Sequence, residues 1–210
     1  MVTTKTCELH GSNLEPVQVP VRYGLPLYDD ARCVADRLFP NANSYLPGGC
    51  VVDASSPGQI RGFVCIDCRK AEIAWREQND AYYATSYVID DGTVKFAIHL
   101  GGATEPLQEF LRDRRVAKWA FLTAWNPLSQ PLSATENESR QIELIKMLDE
   151  QNYPYLRGFG VGDDPAWEPE QSLFILDISC DDAIGLARRF EQNAILWGEI
   201  GGEPELVWCV

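Results

Sequence analysis

The spacing of apolar residues predicts a regular series of strands and helices in the second part of the chain. Residues 83–89 and 94–100 flank Asp90-Asp91-Gly92, and an Asp-Gly pair between two apolar runs is a strong hairpin signal. Further strands are predicted over 117–125, 153–161, 172–178, 194–198 and 204–209. Three helices are predicted between these strands, and they begin near Thr104, at Ser133, and at Ser179 or Asp181.

The clearest helix signal follows Ser133. The run Ser133-Ala134-Thr135-Glu136 has the pattern of a capping box and predicts a helix to about Glu150, with Ile142, Ile145 and Leu148 directed inward. The resulting order, β-β-α-β-α-β-β-α-β-β, predicts an α+β domain of mixed α/β layers.

The first 79 residues show a weaker apolar pattern, interrupted by glycines and prolines. They predict a small module with short strands, a helix near 29–38 whose Cys33 faces the core, and a connecting helix over 70–78. We therefore predict two domains: a small module over 1–79 and an α/β domain over 80–210.

Charge is distributed unevenly between these parts. The chain of 210 residues has 18 basic and 31 acidic side chains, a net charge of −13. Residues 1–80 have 8 basic and 10 acidic side chains (net −2), whereas residues 81–210 have 10 and 21 (net −11). This balance argues against broad binding to nucleic acid or an anionic membrane. Without an apolar leader or a run of the roughly 20 apolar residues that span a membrane, the sequence predicts a cytoplasmic protein with reduced thiols.

Two spaced pairs of metal-binding residues stand out among seven cysteines and two histidines. Cys7 and His10 form a C-x-x-H pair, and Cys65 and Cys68 form a C-x-x-C pair. A gap of two residues lets both side chains of a tight turn reach one tetrahedral ion, so the pairs predict a structural Zn²⁺ site. Residues 1–79 are therefore predicted to be a zinc-ribbon-like module, followed by the acidic α/β domain over 80–210. Cys50 is an alternative fourth ligand in place of His10, and a redox role of the C-x-x-C pair is a weaker alternative.

A polar cluster follows the strand predicted over 117–125 and marks a candidate ligand pocket. Its members are Thr123, Asn126, Ser129, Ser133, Glu136, Asn137 and Arg140. We select Thr123, Asn126, Glu136, Asn137 and Arg140 as the ligand-binding residues, because strand ends and helix N-termini favour anionic ligands. The alternative is structural: a turn, a capping box and an i,i+4 ion pair explain the same residues.

A second polar cluster is a weaker candidate, since buried amide tips more often satisfy backbone groups than bind ligands. It comprises Trp167, Glu168, Glu170, Arg189, Gln192 and Asn193.

Several motifs in the second part resemble the bacterial domain of unknown function 3293. They are Trp119-Ala120-Phe121-Leu122-Thr123-Ala124-Trp125-Asn126-Pro127, Glu136-Asn137 with Arg140, Gly158-Phe159-Gly160, Trp167-Glu168-Pro169-Glu170-Gln171-Ser172, and Ala187-Arg188-Arg189-Phe190-Glu191-Gln192-Asn193-Ala194. They occur in order over about 82–209, and Glu191 departs from the glycine that the family pattern leads us to expect. The resemblance implies no established activity. The first module is also similar to zinc-ribbon-type segments of uncharacterised bacterial proteins.

The sequence thus leads to one main hypothesis of function and two others. The main one is a zinc-binding protein that acts as a binding or regulatory module, with an unidentified small molecule or protein as its partner. The alternative is a small enzyme that acts on a nucleotide-like or phosphorylated metabolite through the pocket near Asn126, Glu136 and Arg140. A nucleic-acid contact by the zinc ribbon is the third, and the net charge of −2 in residues 1–80 argues against it.

Overall fold

The computed structural model describes residues 5–24, 30–102, 104–163 and 167–209. The chain forms two compact units, residues 1–79 and residues 80–210.

The first unit contains a small three-stranded sheet of order β2-β1-β3. Its elements are β1 (Glu15–Arg22), α1 (Asp30–Leu38), β2 (Leu46–Pro47), β3 (Gln59–Val64) and α2 (Ile66–Ala84). Strand β1 pairs antiparallel with β3 and parallel with the short β2. The predicted connecting helix is present but longer than 70–78, and its last residues belong to the second unit.

The second unit is built on one sheet of seven strands, in the order β10-β9-β6-β8-β7-β4-β5 with every neighbouring pair antiparallel. Its elements are β4 (Ser86–Asp90), β5 (Lys95–Ile98), α3 (Glu105–Arg114), β6 (Lys118–Thr123), α4 (Ala134–Gln151), β7 (Tyr155–Val161), β8 (Glu170–Leu176), α5 (Cys180–Arg189), β9 (Ala194–Glu199) and β10 (Glu205–Trp208). The order of strands and helices is the one that the apolar pattern predicts.

Helices cover both faces of this sheet. Leu144 and Leu148 of α4 and Leu186 of α5 pack in one buried cluster with alternate residues of the central strands, such as Leu122. On the opposite face, Leu107, Phe110 and Leu111 of α3 pack with Trp119 and Phe174. Because both faces of the central strands are buried, these strands are continuous apolar runs rather than alternating ones. The α+β prediction is confirmed.

Two inward-facing predictions are wrong. Ile142 of α4 is 60% exposed, because the buried face of this helix passes through Asn137, Gln141, Leu144 and Leu148. Two of these four positions are polar, so apolar spacing alone assigns the wrong face.

The second error concerns Cys33, which is exposed rather than part of the core.

None of the helices in the described ranges is long and apolar enough to cross a membrane.

Candidate functional site

The two predicted ligand pairs meet in the first unit. The donor atoms of Cys7, His10, Cys65 and Cys68 all lie within 4.8 Å of one another, so the group could hold a metal ion. The three cysteines are buried, whereas His10 is exposed.

The spacing of these atoms fits a tetrahedron around one ion. With Zn–S bonds of about 2.3 Å and a Zn–N bond of about 2.0 Å, a tetrahedral site has S···S edges of about 3.8 Å and N···S edges of about 3.5 Å. The Sγ atoms of Cys7 and Cys68 are 3.6 Å apart. The Nδ1 atom of His10 lies 3.6 Å, 3.6 Å and 3.4 Å from the sulfurs of Cys7, Cys65 and Cys68. Four edges therefore match within about 0.2 Å.

Tight backbone turns present each ligand pair. After His10, Gly11 has φ +65°, a region that glycine enters without a steric cost, and its N–H donates to the Cys7 carbonyl at 2.9 Å. Cys65 follows the end of β3 and Cys68 lies in the first turn of α2, where its N–H donates to Cys65 Sγ at 3.4 Å.

The sulfurs affect each other's ionisation. Burial raises the pKa of the Cys68 thiol, and the adjacent sulfurs of Cys7 and Cys65 help to raise it to about 12. Burial also raises the pKa of the Cys7 thiol, but hydrogen bonds from His10 and from the Leu9 backbone outweigh it and lower that pKa to about 6. Without a cation one thiolate suppresses ionisation of the next, whereas a divalent ion would stabilise all three.

Asn41, which no sequence motif marks, contacts all three cysteines. Its Nδ2 donates to Cys7 Sγ at 3.5 Å, its carbonyl accepts from the Cys65 N–H at 2.8 Å, and its backbone N–H donates to the Cys68 thiol. Arg69 fixes the same loop, because its guanidinium donates to the carbonyls of residues 42 and 43 at 2.8 Å and 2.9 Å. Arg69 thus acts on the loop and not on the sulfurs directly.

Two alternatives for this site follow from the sequence: Cys50 as the fourth ligand, and a redox role of the C-x-x-C pair. Cys50 is exposed and lies outside the four-residue group. The C-x-x-C pair does open a helix after a strand, as in thiol oxidoreductases, but Cys7 and His10 lie beside it. Four donors around one point are characteristic of a metal centre.

The predicted ligand residues of the second unit lie around the end of β6. Asn126 and Asn137 bind each other: Asn137 Nδ2 donates to Asn126 Oδ1 at 2.8 Å, and the Asn126 N–H donates to Asn137 Oδ1 at 2.9 Å. Thr123 donates to the carbonyl of Gln171 at 2.6 Å and accepts from the N–H of Trp125 at 3.0 Å. These three residues therefore build the loop that follows the strand.

Arg140 and Glu136 are also engaged within the protein. The Arg140 guanidinium donates to the carbonyls of Ala124 at 2.8 Å and Phe190 at 2.5 Å, and lies 3.6 Å from a Glu191 carboxylate oxygen. Glu136 forms the predicted capping box with Ser133. The capping box of the structural alternative is therefore present, but its i,i+4 ion pair is not among the ion pairs of the described residues, because Arg140 lies beside Glu191 instead of Glu136. The pocket for an anionic ligand stays a prediction.

The second polar cluster of the sequence converges on the same loop. Glu170, at the start of β8, accepts hydrogen bonds at one oxygen, Oε1, from Asn126 Nδ2 at 2.7 Å and from Trp167 Nε1 at 3.1 Å. Gln192 donates to the carbonyl of Trp125 at 2.8 Å, and Asn193 donates to the hydroxyl of Ser129 at 3.0 Å. Arg189 instead lies 3.1 Å from Glu143, and Glu168 is exposed.

Burial raises the pKa of the Glu170 carboxyl above its ordinary value, although the hydrogen bonds from Asn126 and Trp167 act to lower it. The loop itself is in an uncommon backbone conformation. Asn126, Leu128 and Ser129 all have φ between +45° and +56°, the left-handed region, which a residue such as leucine rarely adopts.

A family model matches the part of the second unit that contains this loop. Residues 122–195 match the family described as protein of unknown function DUF3293. The predicted resemblance is thus confirmed for this DUF3293 region, which is less than half of the chain and contains the loop of Asn126, Glu170 and the Gln192-Asn193 turn. No curated protein and no solved structure matches the chain. The zinc-ribbon resemblance of the first module stays a prediction.

Proposed function

We propose that the first unit is a zinc-ribbon-like module in which Cys7, His10, Cys65 and Cys68 hold one structural Zn²⁺. The observation that carries this proposal is that four inter-ligand distances match edges of a tetrahedral site with three sulfurs and one nitrogen, and all four donor atoms lie within 4.8 Å of one another. Three thiolates and a neutral imidazole also suit the borderline-soft Zn²⁺ better than Mg²⁺ or Ca²⁺.

The site favours a structural over a catalytic role for the metal. Four protein ligands complete the tetrahedron, and catalytic zinc normally keeps one position for water or substrate. The buried cluster of the first unit consists of Cys7, Ala42, Cys65 and Cys68, with Leu14 and Phe39 packed against it. Three of the eight buried apolar residues among the described part of the first unit are thus ligand cysteines, and a metal adds stability to a core of so few side chains.

On this basis we propose that the protein is a cytoplasmic binding or regulatory module, in which zinc stabilises the first unit and the DUF3293 region recognises a partner. A reducing compartment keeps the three thiols available for metal binding. The alternative, a small enzyme, is supported by the convergence of two distant polar clusters on the loop after β6. Substrate binding by that loop is the part of the alternative that can be tested first.

Metal analysis of the purified protein tests the zinc proposal. We expect one zinc per chain in the wild type, and loss of zinc from Cys65→Ser and Cys68→Ser. Cys33→Ser and Cys50→Ser are matched controls, because both cysteines are exposed and outside the group. If Cys50→Ser loses its zinc while His10→Ala keeps it, the fourth ligand is Cys50. A metal-free wild type that folds fully would contradict the proposal.

A redox role and a zinc site make different predictions for Cys7→Ser. A C-x-x-C oxidoreductase needs only Cys65 and Cys68, so Cys7→Ser would leave its dithiol titration unchanged. In a zinc site Cys7→Ser removes a ligand and lowers the zinc content. Titration of thiols before and after addition of a chelator separates the two roles.

A further inference from the structure

The sheet of the second unit contains an unfilled position beside Glu170. Gly160 of β7 pairs with Glu170 of β8 on one side and with Tyr87 of β4 on the other. Directly paired residues of adjacent strands place their side chains on the same face, so a side chain at residue 160 would stand between those of Glu170 and Tyr87. Glycine leaves that position vacant.

Space at Gly160 is open among the described residues. A Cβ atom built there would have one heavy atom within 4 Å, Thr85 Cγ2 at 3.8 Å. Gly158, two residues earlier on the same face, differs: a Cβ there would collide with the carbonyl of Val88 and lie 3.0 Å from the Phe121 ring. Close packing therefore explains the glycine at 158, whereas at 160 the absence of a side chain creates a recess.

Glu170 borders this recess without a basic partner. Both of its hydrogen-bond donors, Asn126 and Trp167, are neutral and bind Oε1. None of the ion pairs between described residues includes Glu170. A partly buried carboxylate without a counter-ion is unfavourable, and a bound cation would remove that penalty.

Three aromatic side chains lie near the same carboxylate. The Trp167 indole is held against Glu170 by its N–H and is 38% exposed. Burial raises the pKa of Tyr82 and of Tyr87, and the charge of Glu170 raises both further, so the two phenols lie within its field. A carboxylate beside aromatic rings is a typical environment for organic cations. The net −11 of residues 81–210 would also attract a cation to this unit.

We infer that the recess over Gly160 binds a small organic cation of the guanidinium or primary ammonium class, with Glu170 as its counter-ion and Trp167 as its aromatic neighbour. Oε2 of Glu170 receives the N–H groups of the ligand, while Oε1 stays bound to Asn126 and Trp167. The inference does not depend on zinc, which concerns the other unit. It also differs from the predicted anionic ligand, because Arg140 is engaged with backbone carbonyls.

Methylguanidinium is a suitable probe, and its isosteric neutral analogue methylurea is the matched control ligand. Both are titrated into the full-length zinc-loaded protein while the indole N–H resonances are followed by NMR. The Trp167 resonance is assigned with Trp167→Phe. We expect saturable binding of methylguanidinium with a Kd of about 1 mM, the affinity of a good fragment of this size, and at least tenfold weaker binding of methylurea.

Two variants test the site without removing the packing around it. Glu170→Gln keeps an acceptor for Asn126 and Trp167 but removes the charge, and Gly160→Val fills the recess where space permits. Each is expected to weaken methylguanidinium binding at least tenfold. Glu168→Gln is the matched control: it removes one charge at an exposed position two residues away, and its Kd should stay within twofold of the wild type.

The inference is overturned by any of three results. The first is no saturable shift of the Trp167 resonance in the wild type. The second is equal loss of binding in Glu168→Gln and Glu170→Gln, which would reveal general charge attraction. The third is equal binding of methylurea and methylguanidinium, which would show that charge is not recognised. If Glu170→Gln does not fold by circular dichroism, Gly160→Val decides the question alone.

Discussion

Replacement of Asn41 by alanine should weaken zinc binding, although this residue is not a ligand. The substitution deletes the donor to Cys7 Sγ but keeps the backbone N–H and C=O that contact Cys68 and Cys65. The remaining backbone contacts and the clamp of Arg69 hold the loop in place. The variant therefore tests the side-chain hydrogen bond separately from the loop conformation.

The magnitude follows from the kind of bond that is lost. A hydrogen bond to a charged group contributes about 1.5–3 kcal/mol, and loss of a partner that orients a metal ligand typically lowers affinity 10–100-fold. At 1.4 kcal/mol per factor of ten, that range is about 1.4–2.8 kcal/mol, so the two estimates agree. The donor–acceptor distance of 3.5 Å is long, but it is typical of a bond to sulfur, and we expect about tenfold weaker binding.

Asn41→Asp should have a larger effect, because a carboxylate would then face a thiolate across the same distance. Asn43→Asp is its matched control: it introduces the same charge two residues along the loop, where the native side chain binds the carbonyl of Phe63 instead of a sulfur. Zinc affinity is measured by competition with a chelating dye.

Substitution of Co²⁺ for zinc adds a spectroscopic readout. The sulfur-to-cobalt charge-transfer band should shift in the two Asn41 variants and not in Asn43→Asp, since the side chain of Asn41 contacts a ligand sulfur and that of Asn43 binds a backbone carbonyl. If Asn41→Ala binds zinc within twofold of the wild type and leaves the Co²⁺ spectrum unchanged, the assigned role is refuted.

Three further predictions concern the second unit. Glu191→Gly should raise the free energy of unfolding by up to about 1 kcal/mol in urea denaturation. Relief of a left-handed residue at φ 54° should outweigh both the cost of glycine in the unfolded chain and the loss of the exposed ion pair with Arg140, and a loss of stability would contradict this argument. Ser133→Ala should lower it by about 1 kcal/mol through loss of the α4 cap, whereas Ser139→Ala, which removes no cap, should change it less. Because the pKa of Glu170 is raised in the folded protein, its ionisation lowers the free energy of unfolding as the pH rises through that pKa. Glu170→Gln should therefore be more stable than the wild type at pH 7 and equally stable below about pH 4. A stability difference that does not change with pH would exclude this cause.

The elements of the second unit were predictable because each strand and helix is encoded locally. The capping box at Ser133 and the Asp-Gly turn act over four residues or fewer, and both are present. Burial was less predictable where the buried face is polar. In α4, Gln141 is 4% exposed because its Oε1 accepts from the Ala124 N–H at 3.1 Å, and a hydropathy pattern cannot show such a pairing.

Functional residues were likewise predictable only where a local sequence motif encodes them. The ligands Cys7, His10, Cys65 and Cys68 were predictable because two residues of spacing encode each pair. Asn41 was not, because its contacts are made by one side chain and two backbone groups of an irregular loop.

The sequence also could not show that the two polar clusters meet at Glu170. It depends on the order β6-β8-β7 in the sheet, which brings Asn126 beside a residue 44 positions later. Local patterns do not specify which distant strands become neighbours.

Removal of the metal should affect the two units differently. In the first unit one buried cluster is largely the ligand set, so zinc binding and folding are linked. Binding free energies of about 10–16 kcal/mol for structural zinc are as large as the whole stability of a typical domain, about 5–15 kcal/mol. In the second unit two apolar clusters on opposite faces of the sheet include no predicted ligand. Chelation should therefore abolish amide-exchange protection in β1 and β3 while β6 and β8 remain protected, and added zinc should restore it. Loss of protection in β6 and β8 at the same chelator concentration would show that the second unit also depends on the metal. Unchanged protection in β1 and β3 would show that the ligand cluster folds without it.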